Sequence, residues 1–339
     1  MVRTVVIGVG RMGRRHLQAA RSIDLDIVGI CDPLPAALDE TAREFELPST
    51  ACFSRPELLL RDTRPECVII AATADSHCEL TCLAAEAGAR YILCEKPMAC
   101  SLEECNRMLA ACEASGARLA INHGIRFLDY YSTPKRLAQS EAFGGLTSLT
   151  VVGGNLGLAM NGTHFFEAFR YLTDQAPLEV TAWLSEERVP NPRGPQFMDH
   201  GGAIRVTTAG GQRFYLDIGP DQGHGLTMVY AGRYGQILVD ILSGTVQVTT
   251  RQDSNRESPT TRYNLPADSS TIHLEPPDVV AAARAMLLAL LDGNNYPGAV
   301  EGRMAVQVLV AAYVSHETGH RTVDLRTDPL PRERWFPWA

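Results

Sequence analysis

The apolar run Tyr91-Ile92-Leu93-Cys94 delivers Glu95-Lys96-Pro97, and Lys96 is the first residue whose type and place could do chemistry. Pro97 fixes the direction of the chain just after it. A lysine at such a strand end can be desolvated and can donate to, or take a proton from, a substrate hydroxyl. Taken alone, the position also suits a solvated strand-end lysine. His164 is the second such residue. Phe165, Phe166, Ala168, Phe169 and Leu172 form one helix face, while His164, Glu167 and Tyr171 fall at i, i+3 and i+7 on another. Asn161 or Thr163 as helix cap would put His164 in the first turn, where the positive dipole end keeps the ring neutral, as a general base must be. A lone histidine can equally be structural.

The third group is Gly8-Val9-Gly10-Arg11-Met12-Gly13, with Asp32 nineteen residues past Gly13. Thr4-Val5-Val6-Ile7 precedes it, a helical pattern through Leu17 and Ala20 follows, and Asp26 to Cys31 is a second apolar run ending at the acid. Strand, glycine turn, helix, strand, acid is the order of a dinucleotide site. Gly8 permits the turn, Gly10 lets backbone approach a pyrophosphate, and Gly13 lets helix pack on strand. Arg11 and Met12 sit in that turn, and the phosphates would lie at the helix N-terminus. Asp32 can accept hydrogen bonds from ribose hydroxyls and would repel the extra phosphate of NADP. Pro33-Leu34-Pro35 brings no base to counter it, so NAD is favoured over NADP.

These residues need a scaffold, and the hydrophobic pattern supplies one. Helices are expected at Pro35–Phe45, Leu58–Arg61, Glu79–Ala87 and after the Ser101 capping box, with strands at Cys67–Ala72, Tyr91–Cys94 and Arg118–Asn122. This alternation is that of a doubly wound parallel sheet of the Rossmann kind. Ligands bind beyond the carboxyl ends of such strands, which singles out Thr73 to His77, Glu95 to Pro97, and Asn122 to Arg126. After residue 122 the rhythm changes to strands joined by glycine-bearing turns (Gly210-Gly211, Gly232 to Gly235, Ser243-Gly244), then helices at Asp278–Leu291 and Glu301–Thr318. The expectation is an α/β chain of two domains: 1–122, and 123–339 with a large, mostly antiparallel open sheet. Ser254 to Ser270 reads as a mobile polar connector, and the proline-bearing segment Arg188 to His200 as a connector too.

A net charge of −8 argues against a nucleic-acid backbone or an anionic membrane as partner, and no apolar run reaches the length of a bilayer span. With no signal-peptide pattern, the chain reads as cytoplasmic. All nine cysteines lie in the first third. Cys78 and Cys82, one helical turn apart, could hold a metal, but the reading adopted is small buried apolar residues and no metal.

Together GVGRMG with Asp32, ATADSH, CEKPMA, NHGIRF and NGTHFFEAFRYL resemble the Gfo/Idh/MocA family of oxidoreductases. The resemblance runs over nearly the whole chain, through EGRMAVQVLVAAYVSHETG and the VDL beyond it. It implies a Rossmann domain joined to an α/β domain whose open sheet makes a homodimer or homotetramer. It implies Lys96 near the nicotinamide and the reacting hydroxyl, a cis Lys96–Pro97 bond, and His164 as the catalytic histidine. Thr73, His77, Glu95 and Asn122 then belong to the cofactor side, with Arg126, Asn161 and Glu167 on the substrate side. One departure stands out: the family's aspartate four residues before the histidine is Met160 here. The implied activity is NAD-dependent interconversion of a secondary alcohol and a ketone on a sugar, sugar derivative or cyclitol. The alternatives are an NAD-dependent glycosidase of the same fold and a redox-silent dinucleotide sensor.

Overall fold

β1 (Arg3–Ile7) is buried along Val5, Val6 and Ile7, and every other strand of the first sheet is arranged around it. The chain continues as α1 (Arg11–Arg21), β2 (Asp26–Cys31), α2 (Pro35–Glu44), β3 (Cys52–Phe53), α3 (Pro56–Thr63) and β4 (Cys67–Ile70). Then come α4 (Ala74–Glu86), β5 (Tyr91–Cys94), α5 (Leu102–Ser115) and β6 (Arg118–Ile121). In this computed structural model, which describes residues 1–259 and 265–338, the six strands pair in the order β3-β2-β1-β4-β5-β6, all parallel. That is the doubly wound order of a Rossmann fold.

Local chemistry explains the element ends. Pro35 and Pro56 open α2 and α3, where a missing N–H costs nothing. Ser101 Oγ accepts from the Glu104 amide at 3.1 Å, and Gly116 closes α5 in the left-handed region at φ +73°. α4 begins at Ala74, five residues earlier than the apolar pattern suggests, so Asp75 and His77 are helical.

The second unit begins with α6 (Asp129–Ala138), β7 (Leu146–Gly154), α7 (Thr163–Thr173), β8 (Pro177–Arg188), β9 (His200–Thr208) and β10 (Arg213–Gly219). β11 (Thr227–Gly232), β12 (Gly235–Asp240), β13 (Thr245–Arg251) and β14 (Ala267–His273) follow; the chain then re-enters the first unit with α8 (Val279–Asp292), and α9 (Ala299–Glu317) leads back to β15 (Val323–Asp324) in the second. Among the described residues the second sheet runs β14-β13-β12-β11-β7-β10-β9-β8-β15, antiparallel except for the parallel β7–β10 pair. One face is apolar and buried, with Val180, Ala182, Ile204, Val206, Phe214 and Leu216, and α7 lies on it. Phe169 stacks on Phe214 at 5.4 Å between ring centroids, and Phe166 meets the same ring edge-on at 6.1 Å. The sheet therefore sets the position of α7.

Two expectations are corrected. The first unit is not residues 1–122 alone: it comprises 1–124, 278–306 and 331–339, and the second unit is 125–277 with 307–330. The cause is packing, because α8 lies against α1 and the Ile121 amide donates to Pro297 O at 2.9 Å, covering the β6 edge. The tail returns too: the Phe336 amide donates to Cys100 O at 2.9 Å. The proposed connector 254–270 is not one throughout, since Ala267–His273 pairs with β13; its residues 260–264 lie outside the described residues. The nine cysteines are free and mostly buried, and burial pushes Cys78 up to about 12 and Cys112 to about 11.

Candidate functional site

Parallel register puts Cys31, Ile7, Ile70, Cys94 and Ile121 level at one edge of the first sheet. The residues that follow them therefore stand in a row: Asp32, Gly8, Ala71 to Thr73, Glu95 and Lys96, then Asn122. Adjacent strands lie about 4.8 Å apart, so Lys96 stands roughly 10 Å along this edge from the glycine turn.

The three glycines differ in what a side chain would meet. A Cβ on Gly13 would lie 1.9 Å from the Gly8 carbonyl oxygen, and one on Gly8, at φ +86°, would lie 2.7 Å from Ala71 backbone. A Cβ on Gly10 would meet nothing within 4 Å. Gly8 and Gly13 are thus required by packing, while Gly10 opens outward. Gly10 is also the N-cap of α1 and has no side chain with which to cap the first amides of the helix. Arg11 is exposed and Met12 half-buried beside it. Asp32, 8% exposed, accepts from the Val9 amide at 3.0 Å through Oδ2 and from the Leu34 amide at 2.9 Å through Oδ1. Open backbone at Gly10, unpaired helix amides and a fixed carboxylate one strand away fit a dinucleotide: pyrophosphate at α1, ribose at Asp32.

At the other end of the row, Glu95 is buried and bonded on several sides. His16 Nε2 donates to Oε1 at 2.7 Å, Asn122 Nδ2 donates to the same oxygen at 2.8 Å, and the Lys96 amide lies 3.4 Å from Oε2. Burial alone would raise the Glu95 pKa. The His16 ring, the Lys96 charge and Asn122 outweigh it and hold the carboxyl below its ordinary value. Lys96 is half-buried between buried Glu95 and Pro97, and the Lys96–Pro97 bond is cis. His77 is buried, with its nitrogens 2.9 Å from Pro97 O and 3.2 Å from Ala72 O, so its ring ties α4 to the loop behind Lys96. Thr73 precedes α4 and bonds Asp75 at 2.5 Å. Asn122 Oδ1 is buried without a hydrogen-bond partner among the described residues.

In the second unit, Arg126 and Glu167 bond each other. Nη1 donates to Oε1 at 3.0 Å, and the side chains are 4% and 0% exposed. Arg170 adds a second cation at 3.4 Å, and the Arg126 guanidinium lies over the Tyr171 ring at 3.9 Å. Of the residues expected on the substrate side, Asn161 is the half-exposed one.

The start of α7 also departs from expectation. Neither Asn161 nor Thr163 caps it. A π-turn, Leu158–Gly162, runs into α7 without a break, with Gly162 itself helical at φ −58° and ψ −37°. The hydroxyl of Thr163 bonds back to Ala159 O at 3.0 Å. The carboxylate of Asp199 takes the exposed amides instead, Oδ1 from Ala159 N and Oδ2 from Met160 N, both at 2.8 Å. The positive end of the helix lies a turn upstream of His164 and is already met by a negative charge.

Two residues were therefore missed. His16 carried one faint signal, its place on the apolar face of α1 three residues after Gly13. Asp199 carried none, being remote in sequence and set in a proline-rich segment.

Comparison with known proteins adds independent observations. Residues 2–123 match the family model described as "Oxidoreductase family, NAD-binding Rossmann fold". D-apiose dehydrogenase of Paraburkholderia graminis is 34% identical over 140 residues, 41% of this chain and 36% of that protein. Inositol 2-dehydrogenase of Salmonella paratyphi B is 30% identical over 120 residues, 34% of each chain. The alignments thus span about a third of these relatives, 36% and 34% of their lengths. An oxidoreductase from Agrobacterium radiobacter, solved with NAD+, L-tartaric acid and magnesium, superimposes with a TM-score of 0.80 at 18% identity, covering 96% of this chain and 98% of that one. At that identity the likeness shows the fold. No helix among the described residues is long and apolar enough to cross a membrane.

Proposed function

Because residues 2–123 match the family model of NAD-binding Rossmann-fold oxidoreductases, we propose that this protein is an NAD-dependent dehydrogenase of the Gfo/Idh/MocA family. Its substrate in this reading is a sugar, sugar derivative or cyclitol, interconverted between secondary alcohol and ketone. The row of residues along the edge of the first sheet carries the reading: Asp32, Gly10 with the uncapped α1, then Lys96 about two strand spacings on. Relatives named as D-apiose and inositol dehydrogenases support the substrate class.

NAD, when bound, supplies a nicotinamide carbon that accepts hydride. The chain's own residues do the rest. Asp32 accepts from the ribose hydroxyls, and its charge disfavours the extra phosphate of NADP. The first amides of α1 bind the pyrophosphate. Lys96 donates to the substrate oxygen, and His164 takes the proton that leaves it. Glu95, fixed by His16 and Asn122, keeps the Lys96 backbone in place. Asn161 meets the substrate, while the Arg126–Glu167 pair holds α7 so that Asn161 and His164 keep their stations.

The outer face of the second sheet is assigned to a second copy of the chain. Register puts Trp183, 50% exposed, and Tyr215, 36% exposed, on that face, opposite the buried Ala182 and Leu216.

The test mixes the protein and NAD with pooled pentoses, hexoses, cyclitols, sugar phosphates and nucleotide sugars, and follows reduced nicotinamide. Absorbance growth in the wild type that Lys96→Ala lacks is the expected result. NAD binding with no turnover on any pool, and none on a glycoside panel, would overturn the reading in favour of a sensor.

A further inference from the structure

The reading of His164 as a working residue leaves a question that the second unit answers by itself: what sets the start of its helix. We infer that Asp199 is a positioning residue for His164, a carboxylate from thirty-five residues downstream that builds the turn carrying Met160 and Asn161 and leading into the helix of His164. This rests on the dehydrogenase reading only where turnover is the readout.

The geometry is that of a built contact. Asp199 is 1% exposed, and each carboxylate oxygen takes one backbone amide, Ala159 and Met160, at 2.8 Å. Gly157 makes the approach possible, because a Cβ there would lie 2.0 Å from Oδ2. The turn itself is wide: the amides of Asn161 and Gly162 both reach back to Gly157 O, at 2.8 and 3.1 Å. A π-turn with open amides has no reason to hold one shape unless something bonds those amides, and Asp199 does so.

The same residue closes the segment it comes from. The Val189 amide donates to Asp199 O at 3.0 Å, and Val189 and Phe197 are buried, so residues 189–199 form a strap pinned at its neck. The expectation of a plain connector is thereby replaced. On the turn and the first residues of α7, Leu158, Ala159, Gly162, Thr163 and Phe165 are buried, while Met160, Asn161 and His164 are half-exposed. Asp199 thus bonds the backbone of the turn that leads into the helix carrying His164. It also places a carboxylate against the backbone of position 160, whose own side chain carries none.

The experiment compares wild type, Asp199→Asn and Asp199→Ala. The asparagine keeps the shape and one acceptor oxygen but loses the charge; the alanine loses both amide contacts. Reaction with diethyl pyrocarbonate, read by mass spectrometry at His164 against exposed His224, needs no substrate. The alanine variant is expected to change the His164 rate by about threefold or more with His224 unchanged, because a helix start without its cap frays. On any substrate turned over, kcat should fall by about a hundredfold with KM for NAD unmoved, a loss of aim rather than of binding. The asparagine should recover most of that loss. Wild-type modification and wild-type kcat in the folded alanine variant would overturn the inference. So would full turnover in His164→Ala beside a loss in Asp199→Ala. If no substrate reacts, the dehydrogenase reading fails while the His164 rate still decides this one. If the alanine variant does not fold, Asp199→Ser, whose hydroxyl is too short to reach both amides, carries the test, and an unchanged His164 rate in it counts against the inference.

Discussion

The two units reach their half-exposed chemistry by opposite means. In the first, Asp32, Gly10 and Lys96 each stand at a strand end, delivered by the four to six residues just before them. In the second, His164 stands on a helix whose start is bonded by Asp199 and whose flank is held by Arg126, forty-one residues before Glu167. Strand-end sites are fixed by register and sequence position, while the helix-borne site is fixed by partners remote in sequence. The first should tolerate change wherever the sheet continues to hold; the second should fail when any one partner is removed.

Removing the strand-end cation is the sharpest probe of the first unit. Lys96→Ala is expected to lower kcat by about a thousandfold with NAD affinity changed by less than about threefold, since the glycine turn and Asp32 are untouched. Stopped-flow rates beside a binding titration check both halves. In the second unit the largest effect should be on stability. Glu167→Ala removes the carboxylate that bonds buried Arg126 and should cost about 3–5 kcal/mol in urea unfolding. A cost below about 1 kcal/mol would show that α7 does not depend on that distant partner.

The glycines sharpen the comparison within one turn. Gly13→Ala should cost about 3 kcal/mol, because its Cβ would collide with backbone at 1.9 Å. Gly10→Ala should cost about 1 kcal/mol or less yet weaken NAD binding by about tenfold, its Cβ pointing where a ligand would come. Equal losses of stability in the two would break the distinction. The smallest effect is acid sensitivity. Glu95 has a folded value held below its ordinary one, so its contribution to stability is present above the unfolded value of about 4.3 and is lost as pH falls below it. Glu95→Gln should flatten that part of the stability–pH curve, and an unchanged slope below about pH 4.3 would remove Glu95 from the account.

How much was legible in the sequence follows the same division. The parallel sheet apart from its two-residue edge strand β3, and the row from Asp32 to Asn122, were readable because each depends on a local pattern: β-branched runs, glycine spacing, a capping box at Ser101. The strands of the second sheet were readable for the same reason, apart from β14 and β15. What escaped reading was pairing at a distance. Residues 278–306 return to the first unit because α8 packs on α1, and no pattern within α8 names its partner. The family resemblance put Arg126 and Glu167 on the substrate side, and no local pattern showed that the two are buried and bonded to each other. The cap of α7 was sought next to the helix, at Asn161 or Thr163, and came from Asp199. A capping carboxylate carries a sequence signal only when it adjoins its helix.

The most direct measurement is a calorimetric titration of NAD into the wild type, Asp32→Ala and Lys96→Ala. The account predicts binding to the wild type, near-wild-type affinity in Lys96→Ala, and a loss of about tenfold or more in Asp32→Ala, which lacks the carboxylate proposed to bind the ribose. Absence of NAD binding to the wild type, or equal affinity with and without Asp32, would contradict it.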